Sequence, residues 1–307
     1  MKASEVYLKT MKFVWLKLAL GGAIFLFSAL TMFLFIWIGS LTKSGSGVAI
    51  ALCIWMILVG GIFGFAQHYI GYMLKAGHVA MVTTAVTTGS LPENQLEAAK
   101  SMVKERFATA NVYFVVDRLV SGAVSQLQRG LQKVEDLLGK IPGVAVIVSF
   151  AQMFVHIALN YIDECCLGYT FLHREQSAFK GAADGVVIYF QNWKTLLKDA
   201  AVTTLIVMGV SLLAWLLPFL IFAGIFSAFG IHWIFAFILA VMIAAIIKSS
   251  FVDSYMMVKM MVSYMQVAPS TQITFDLYDK LCKLSGKFKN LFNKGQQEQQ
   301  QYGNVQM

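Results

Sequence analysis

Between positions 200 and 247 the chain runs for 48 residues without an Asp, Glu, Lys or Arg. As helix this is ~72 Å, enough to cross a hydrocarbon layer of roughly 30 Å twice. Two more apolar runs, 18–41 and 47–74, stand near the N-terminus, separated by a short polar link that holds Lys43. The pattern predicts four spans, 18–41, 47–74, 200–222 and 230–247, arranged as two hairpins. A signal peptide would have an apolar core of about 7 to 15 residues and a small-residue cleavage site, so the first run reads as a retained span.

Elsewhere apolar positions recur at helical spacing with polar ones between them. Ser90, Pro92 and Glu93 supply the parts of a capping box, which predicts a helix starting there with Leu96, Val103 and Phe107 on one face. Val116, Val120, Ala123, Leu127, Leu131, Val134, Leu138 and Ile141 form a second stripe, opposite Arg118, Gln128, Arg129, Lys133 and Asp136. A third sets Phe179, Ala183, Val186, Phe190, Trp193 and Leu197 against Lys180, Asp184, Gln191, Lys194 and Lys198, and runs straight into the third span. Past 247, Lys248, Asp253 and Lys259 would each cost ~2.5–3.5 kcal/mol at a bilayer centre, so the helix there emerges from the membrane. The tail places Leu277, Leu281, Leu284, Phe288 and Leu291 on one face among lysines, and from Gly295 the Gln-rich end reads as disordered.

Residues 143–162 carry no formal charge yet include Gln152, His156 and Asn160. Basic residues decide how they are read. With four spans, 23 of the 24 Lys and Arg fall on one side; a fifth crossing at 143–162 would divide them 12 and 12. Because cytoplasmic loops hold the excess of Lys and Arg, four spans with both termini cytoplasmic is the expectation. Residues 143–162 are then a re-entrant, interfacial or protein-buried helix, with a fifth span as the alternative.

Composition agrees: 58% hydrophobic and 13% charged residues, with a mean hydropathy of +0.68, against about 25% charged in soluble domains. The fold class is all-α, a polytopic membrane helical bundle with cytoplasmic amphipathic helices. Its parts are a basic interfacial N-terminus (1–17), a hairpin (18–74), amphipathic helices (75–199), a second hairpin (200–247), an emerging helix with a basic tail (248–294) and a disordered end (295–307). The net charge of +8 fits anionic lipid headgroups better than nucleic acid. The expected partners are a bilayer with anionic headgroups and further copies or other membrane subunits, in a multi-pass cell-membrane location.

Candidate chemistry is sparse. Gly60 and Gly64, with Gly71 a heptad further on, make a small-residue face suited to helix packing. His68, His156 and His232, with Gln67, Gln152 and Asn160, are the polar groups in or beside apolar runs, and Asp253 flanks the last span; His68, Gln152, His156, Asn160 and Asp253 are the candidate pathway residues. Asp163, Glu164, Cys165, Cys166 and His173 lack the spacing of a metal site, and four cysteines in all follow no disulfide framework. With no P-loop, HExxH or GxSxG motif, neither an enzyme nor a cofactor is expected.

From Asn160 to Lys294 the order of parts resembles the C-terminal part of the choline transporter-like membrane proteins, over about 130 residues. It reads SAFKGAADGVVIYFQNW, basic residues, a close pair of spans, IIKSSFVDSYMMVKMMVSYM and a short lysine-rich tail. The resemblance implies a multi-span carrier for a small cationic amine, to which Trp215, Trp233 and Tyr255 would offer cation-π contacts. The chain has fewer spans upstream than that family's bundle. Two function classes follow: a transporter or channel-like subunit for a small solute, or a non-transporting scaffold or subunit of a larger membrane complex.

Overall fold

The computed structural model describes residues 1–66, 70–107, 110–138, 159–230 and 232–305. Among these, all regular structure is helical, and four helices are long and apolar enough to cross a membrane: Met11–Ser40, Gly45–Phe65, Trp193–Ala228 and Trp233–Ser270. The protein is an all-α polytopic membrane protein. In chain order the helices are α1 (Ala3–Lys9), α2 (Met11–Ser40), α3 (Gly45–Ala66), α4 (Tyr72–Thr88), α5 (Gln95–Phe107), α6 (Ala110–Leu138), α7 (Ile162–Leu172), α8 (Ala178–Gln191), α9 (Trp193–Ala228), α10 (Trp233–Ile247), α11 (Asp253–Val267), α12 (Phe275–Leu284) and α13 (Gly286–Val305). A π-helical turn, Lys248–Val252, joins α10 to α11.

The chain divides into two compact units, one of Met1–Thr10, Ala76–Ile206 and Tyr255–Met307, the other of Met11–Lys75 and Val207–Ser254. The second is built from the apolar helices. Its hairpin of α2 and α3 closes at Gly39, where a Cβ would stand 2.7 Å from the Cα of Val48, so only glycine lets the backbones meet. Met32, Trp55, Phe226, Ala236 and Leu239 form its small buried cluster. The indole Nε1 of Trp55 donates to Thr31 Oγ1 at 3.1 Å, giving one polar link between apolar helices. Lys17 Nζ donates to Ser254 Oγ at 2.9 Å, and Trp15 meets Phe251 edge to face.

The first unit has a conventional buried core centred on α8. Nearly every residue from Ala178 to Tyr189 is buried, Lys180 excepted, because α7 and α13 pack on it. Gly185 permits the first contact: a Cβ there would come 2.9 Å from Cys166 Cα. On α6, Val116, Val120, Ala123 and Leu127 are buried, as the spacing predicts.

Several expectations are corrected. Of the apolar run 47–74, Gly45–Phe65 is the part long and apolar enough to cross a membrane, residues 67–69 lie outside the described ones, and α4 begins at Tyr72. Hydropathy cannot separate lipid burial from protein burial, and Ala76 to Val82 are buried within the first unit. The helix predicted from Ser90 starts at Gln95: Gly89 adopts φ +73° beyond α4, and Asn94 Oδ1 accepts from Glu97 N at 3.3 Å while its Nδ2 donates to Glu97 Oε2 at 2.9 Å. α8 does not run into α9, because the Asn192 side chain takes the Ile188 carbonyl and Thr271 Oγ1. Its polar residues do not form a wet face, and Asp184 is buried.

The tail also differs. Ser285 divides it, its Oγ accepting from Phe288 N at 3.0 Å as an N-cap, and Leu284 is exposed. The expected disordered end is replaced by α13, which continues to Val305. Packing supplies what composition lacks: Gly295 sits against α8 so closely that a Cβ would lie 2.9 Å from Lys180 Cα.

Candidate functional site

Of the sequence candidates, His68, Gln152 and His156 lie outside the described residues, as does most of 143–162. Asn160 is exposed at the start of α7. Asp253 accepts from Lys248 Nζ at 2.7 Å, an exposed ion pair within the membrane unit. Gly60 and Gly64 have no atom within 4 Å of a built Cβ, because α3 meets its neighbours through the face of Ala51 and Trp55; Gly71 is half-buried. His232 caps α10, its Nδ1 accepting from Ile234 N at 3.3 Å. Of the five pathway candidates, Asn160 and Asp253 alone fall among the described residues.

Two polar constellations of the helical unit take their place. The first is internal. Ser177 caps α8 by accepting from Lys180 N at 3.1 Å, which fixes Lys180 and Asp184 one turn apart on the helix. The Asp184 carboxylate accepts from both Lys180 Nζ and the hydroxyl of Tyr278 on α12. Burial raises the Asp184 carboxyl above the usual carboxylate range, partly offset by Lys180. Tyr264 from α11 donates to the Gly185 carbonyl at 3.2 Å, and its ring stacks on Tyr189.

Around this core, Arg106 of α5 donates from Nη1 to the Gln176 carbonyl at 2.9 Å and from Nη2 to the His173 carbonyl at 3.2 Å, holding the α7–α8 turn. His78, fully buried, stands 3.0 Å from Thr10 Oγ1. Cys165 and Cys166 are buried, and burial pushes both thiols well up. His173 pairs with Glu175 at 2.7 Å, and no three His, Cys, Asp or Glu converge on a metal position among the described residues. This network is a structural brace: each charge is spent on a neighbour.

The second constellation is open. A cavity of about 360 Å³ lies between α1 and α11, within the helical unit, lined by Lys2, Ser4, Tyr255, Lys259, Ser263 and Gln266 among others. Tyr255, Lys259, Ser263 and Gln266 recur at four, four and three positions, one face of α11. Sequence reasoning singled out Tyr255 and Lys259 for other roles and missed their alignment with Ser263 and Gln266. The aromatic residues implied by the resemblance are dispersed: Trp215 stacks on Phe219 and Trp233 lies by His232 in the membrane unit, whereas Tyr255 meets Tyr7 in the helical unit.

No family model, curated protein or solved structure matches the chain. The likeness to the choline transporter-like proteins rests on the residues quoted for it.

Proposed function

We propose that this protein is a non-transporting subunit of a membrane complex, a chain that combines four spans of a cell membrane with a packed helical domain. The observation that carries the reading is the open third span. No residue along the most apolar part of Trp193–Ala228 is buried, and Leu213, Leu217 and Leu220 are more than half exposed. Helices in lipid associate by close packing rather than by hydrophobic burial, and the uncovered Gly60 and Gly64 of α3 offer such an approach to another subunit. Both termini and the helical domain are assigned to the cytoplasmic side, which leaves Lys43 as the one basic residue opposite. A photocrosslinking side chain placed at Leu213 or Leu217 tests the reading in native membranes. Protein adducts, to copies of this chain or to another subunit, are expected; lipid adducts alone would contradict it.

A second reading is passage of a small solute, an amine by the resemblance, through an assembly of several copies. It is favoured by the polar spot of Thr31 and Trp55 beside Ser28, whose buried hydroxyl has no hydrogen-bond partner among the described residues. Proteoliposome flux of amines or ions supports that reading, and its absence removes it.

A further inference from the structure

We infer that the cavity between α1 and α11 binds the phosphate group of a small phosphate ester, either a phospholipid headgroup or a soluble compound of the same kind. Its volume of about 360 Å³ lies at the lower end for small-ligand sites, room for a phosphate with a short organic substituent. Its chemistry is one-sided. Lys2 and Lys259 bring two ammonium groups, and Ser4, Tyr255, Ser263 and Gln266 add hydroxyl and amide donors. No carboxylate lines it; Glu5, the nearest in sequence, has its Oε2 engaged by the Lys2 backbone amide at 3.1 Å.

Three side chains of this cavity have no partner of their own. Neither the Lys2 nor the Lys259 ammonium makes an ion pair or hydrogen bond among the described residues. The Ser263 hydroxyl lines the cavity without one although its residue is only 4% exposed. That hydroxyl faces the open cavity, so it can donate to or accept from a group that enters. Tyr255 is held in place by an edge-to-face contact with Tyr7 at 5.3 Å, so part of the wall is preformed.

Position along the chain fits such a ligand. Tyr255 and Lys259 follow Ile247, the last residue of apolar α10, by roughly two to three helical turns. Cationic side chains that follow an apolar span in sequence gain from anionic headgroups and from anionic solutes alike.

The test uses the full-length protein in phosphatidylcholine nanodiscs with two probes. Glycerol 3-phosphate is titrated from solution by calorimetry. Phosphatidylglycerol is mixed into the disc lipid, and copies retained per protein are counted by native mass spectrometry. Saturable binding of the first probe alone assigns a soluble ester, retention of the second alone assigns a headgroup, and both together support the shared chemistry. In each supported case Lys259→Gln and Ser263→Ala weaken binding about tenfold or more, as loss of charge-assisted or buried hydrogen bonds does, while Lys259→Arg and the distant Lys289→Gln leave it within about twofold. Binding of neither probe overturns the inference, as does equal weakening by Lys289→Gln, which would mean diffuse attraction to a basic surface.

Discussion

The backbone amide of Ser177 donates to Oε1 of Gln299 at 3.1 Å, joining the cap of α8 to the Gln-rich end of the chain. Through that bond and the seat of Gly295 on Lys180, the tail covers the central helix of the first unit. Deleting residues 296–307 should destabilise this unit by about 1–3 kcal/mol, the usual scale for losing a buried hydrogen bond together with local packing. Hydrogen exchange at 177–190 should quicken in the truncated protein; unchanged protection would mean that the tail does not cover α8.

Gly185 should tolerate no side chain. A methyl at 2.9 Å from Cys166 Cα meets backbone, which cannot swing aside, so Gly185→Ala should cost about 1–3 kcal/mol. Gly60→Ala, with open space around it, should leave thermal unfolding of the isolated protein within about 0.5 kcal/mol. Equal effects of the two substitutions would contradict the packing described.

Asp184 should make stability depend on pH with a sign opposite to that of an ordinary salt-bridged carboxylate. Its pKa is raised on folding, so the folded state holds the proton more tightly than the unfolded chain. The favourable contribution is complete below the usual 3.8 and is lost as pH rises through the higher folded-state value. Asp184→Asn, which cannot titrate, should flatten this decline in chemical denaturation measured from pH 3.5 upward. A wild-type stability that instead rises through that window relative to the variant would refute the assignment.

Thiol chemistry separates the cysteines. Cys165 and Cys166 are buried thiols with pKa values pushed well up, so maleimide should reach them only after unfolding. Cys282 is partly exposed on α12, its pKa raised by burial and by nearby Asp279, and should react slowly in the folded protein. Labelling of Cys165 at the rate of Cys282 would show that α7 and α8 open far more readily than their packing implies.

Arg106 offers a test of the α5 brace. Arg106→Gln removes both bonds to the 173 and 176 carbonyls and should cost about 1.5–3 kcal/mol, the range for hydrogen bonds from charged groups. The loss should appear as faster exchange in 173–177 with the membrane helices unaffected.

The spans were legible because charge exclusion is absolute over 200–247 and over the two N-terminal runs, 18–41 and 47–74. The end of the second was not, since the residues before Lys75 carry no formal charge and hydropathy does not tell burial in lipid from burial in protein, which is where Ala76 to Val82 lie. α8 misled for the reverse reason: Lys180 and Asp184 have the spacing of a solvated face, but they satisfy one another and Tyr278 inside the core. Composition alone made the Gln-rich end look unstructured, and its order depends on Gly295 fitting a partner helix far away in sequence. The cavity was half visible, because Tyr255, Lys259, Ser263 and Gln266 share a helical face while the opposing Lys2 and Ser4 come from the other end of the chain.

Sidedness of single cysteines in sealed vesicles tests the central claim, four crossings with the helical domain on one side, most directly. In a cysteine-free background, Ser4→Cys, Ser90→Cys and Lys283→Cys should all react with an impermeant maleimide from one side, and Ser44→Cys only from the other. Reaction of Ser4→Cys and Lys283→Cys from opposite sides would mean an odd number of crossings and would contradict the account.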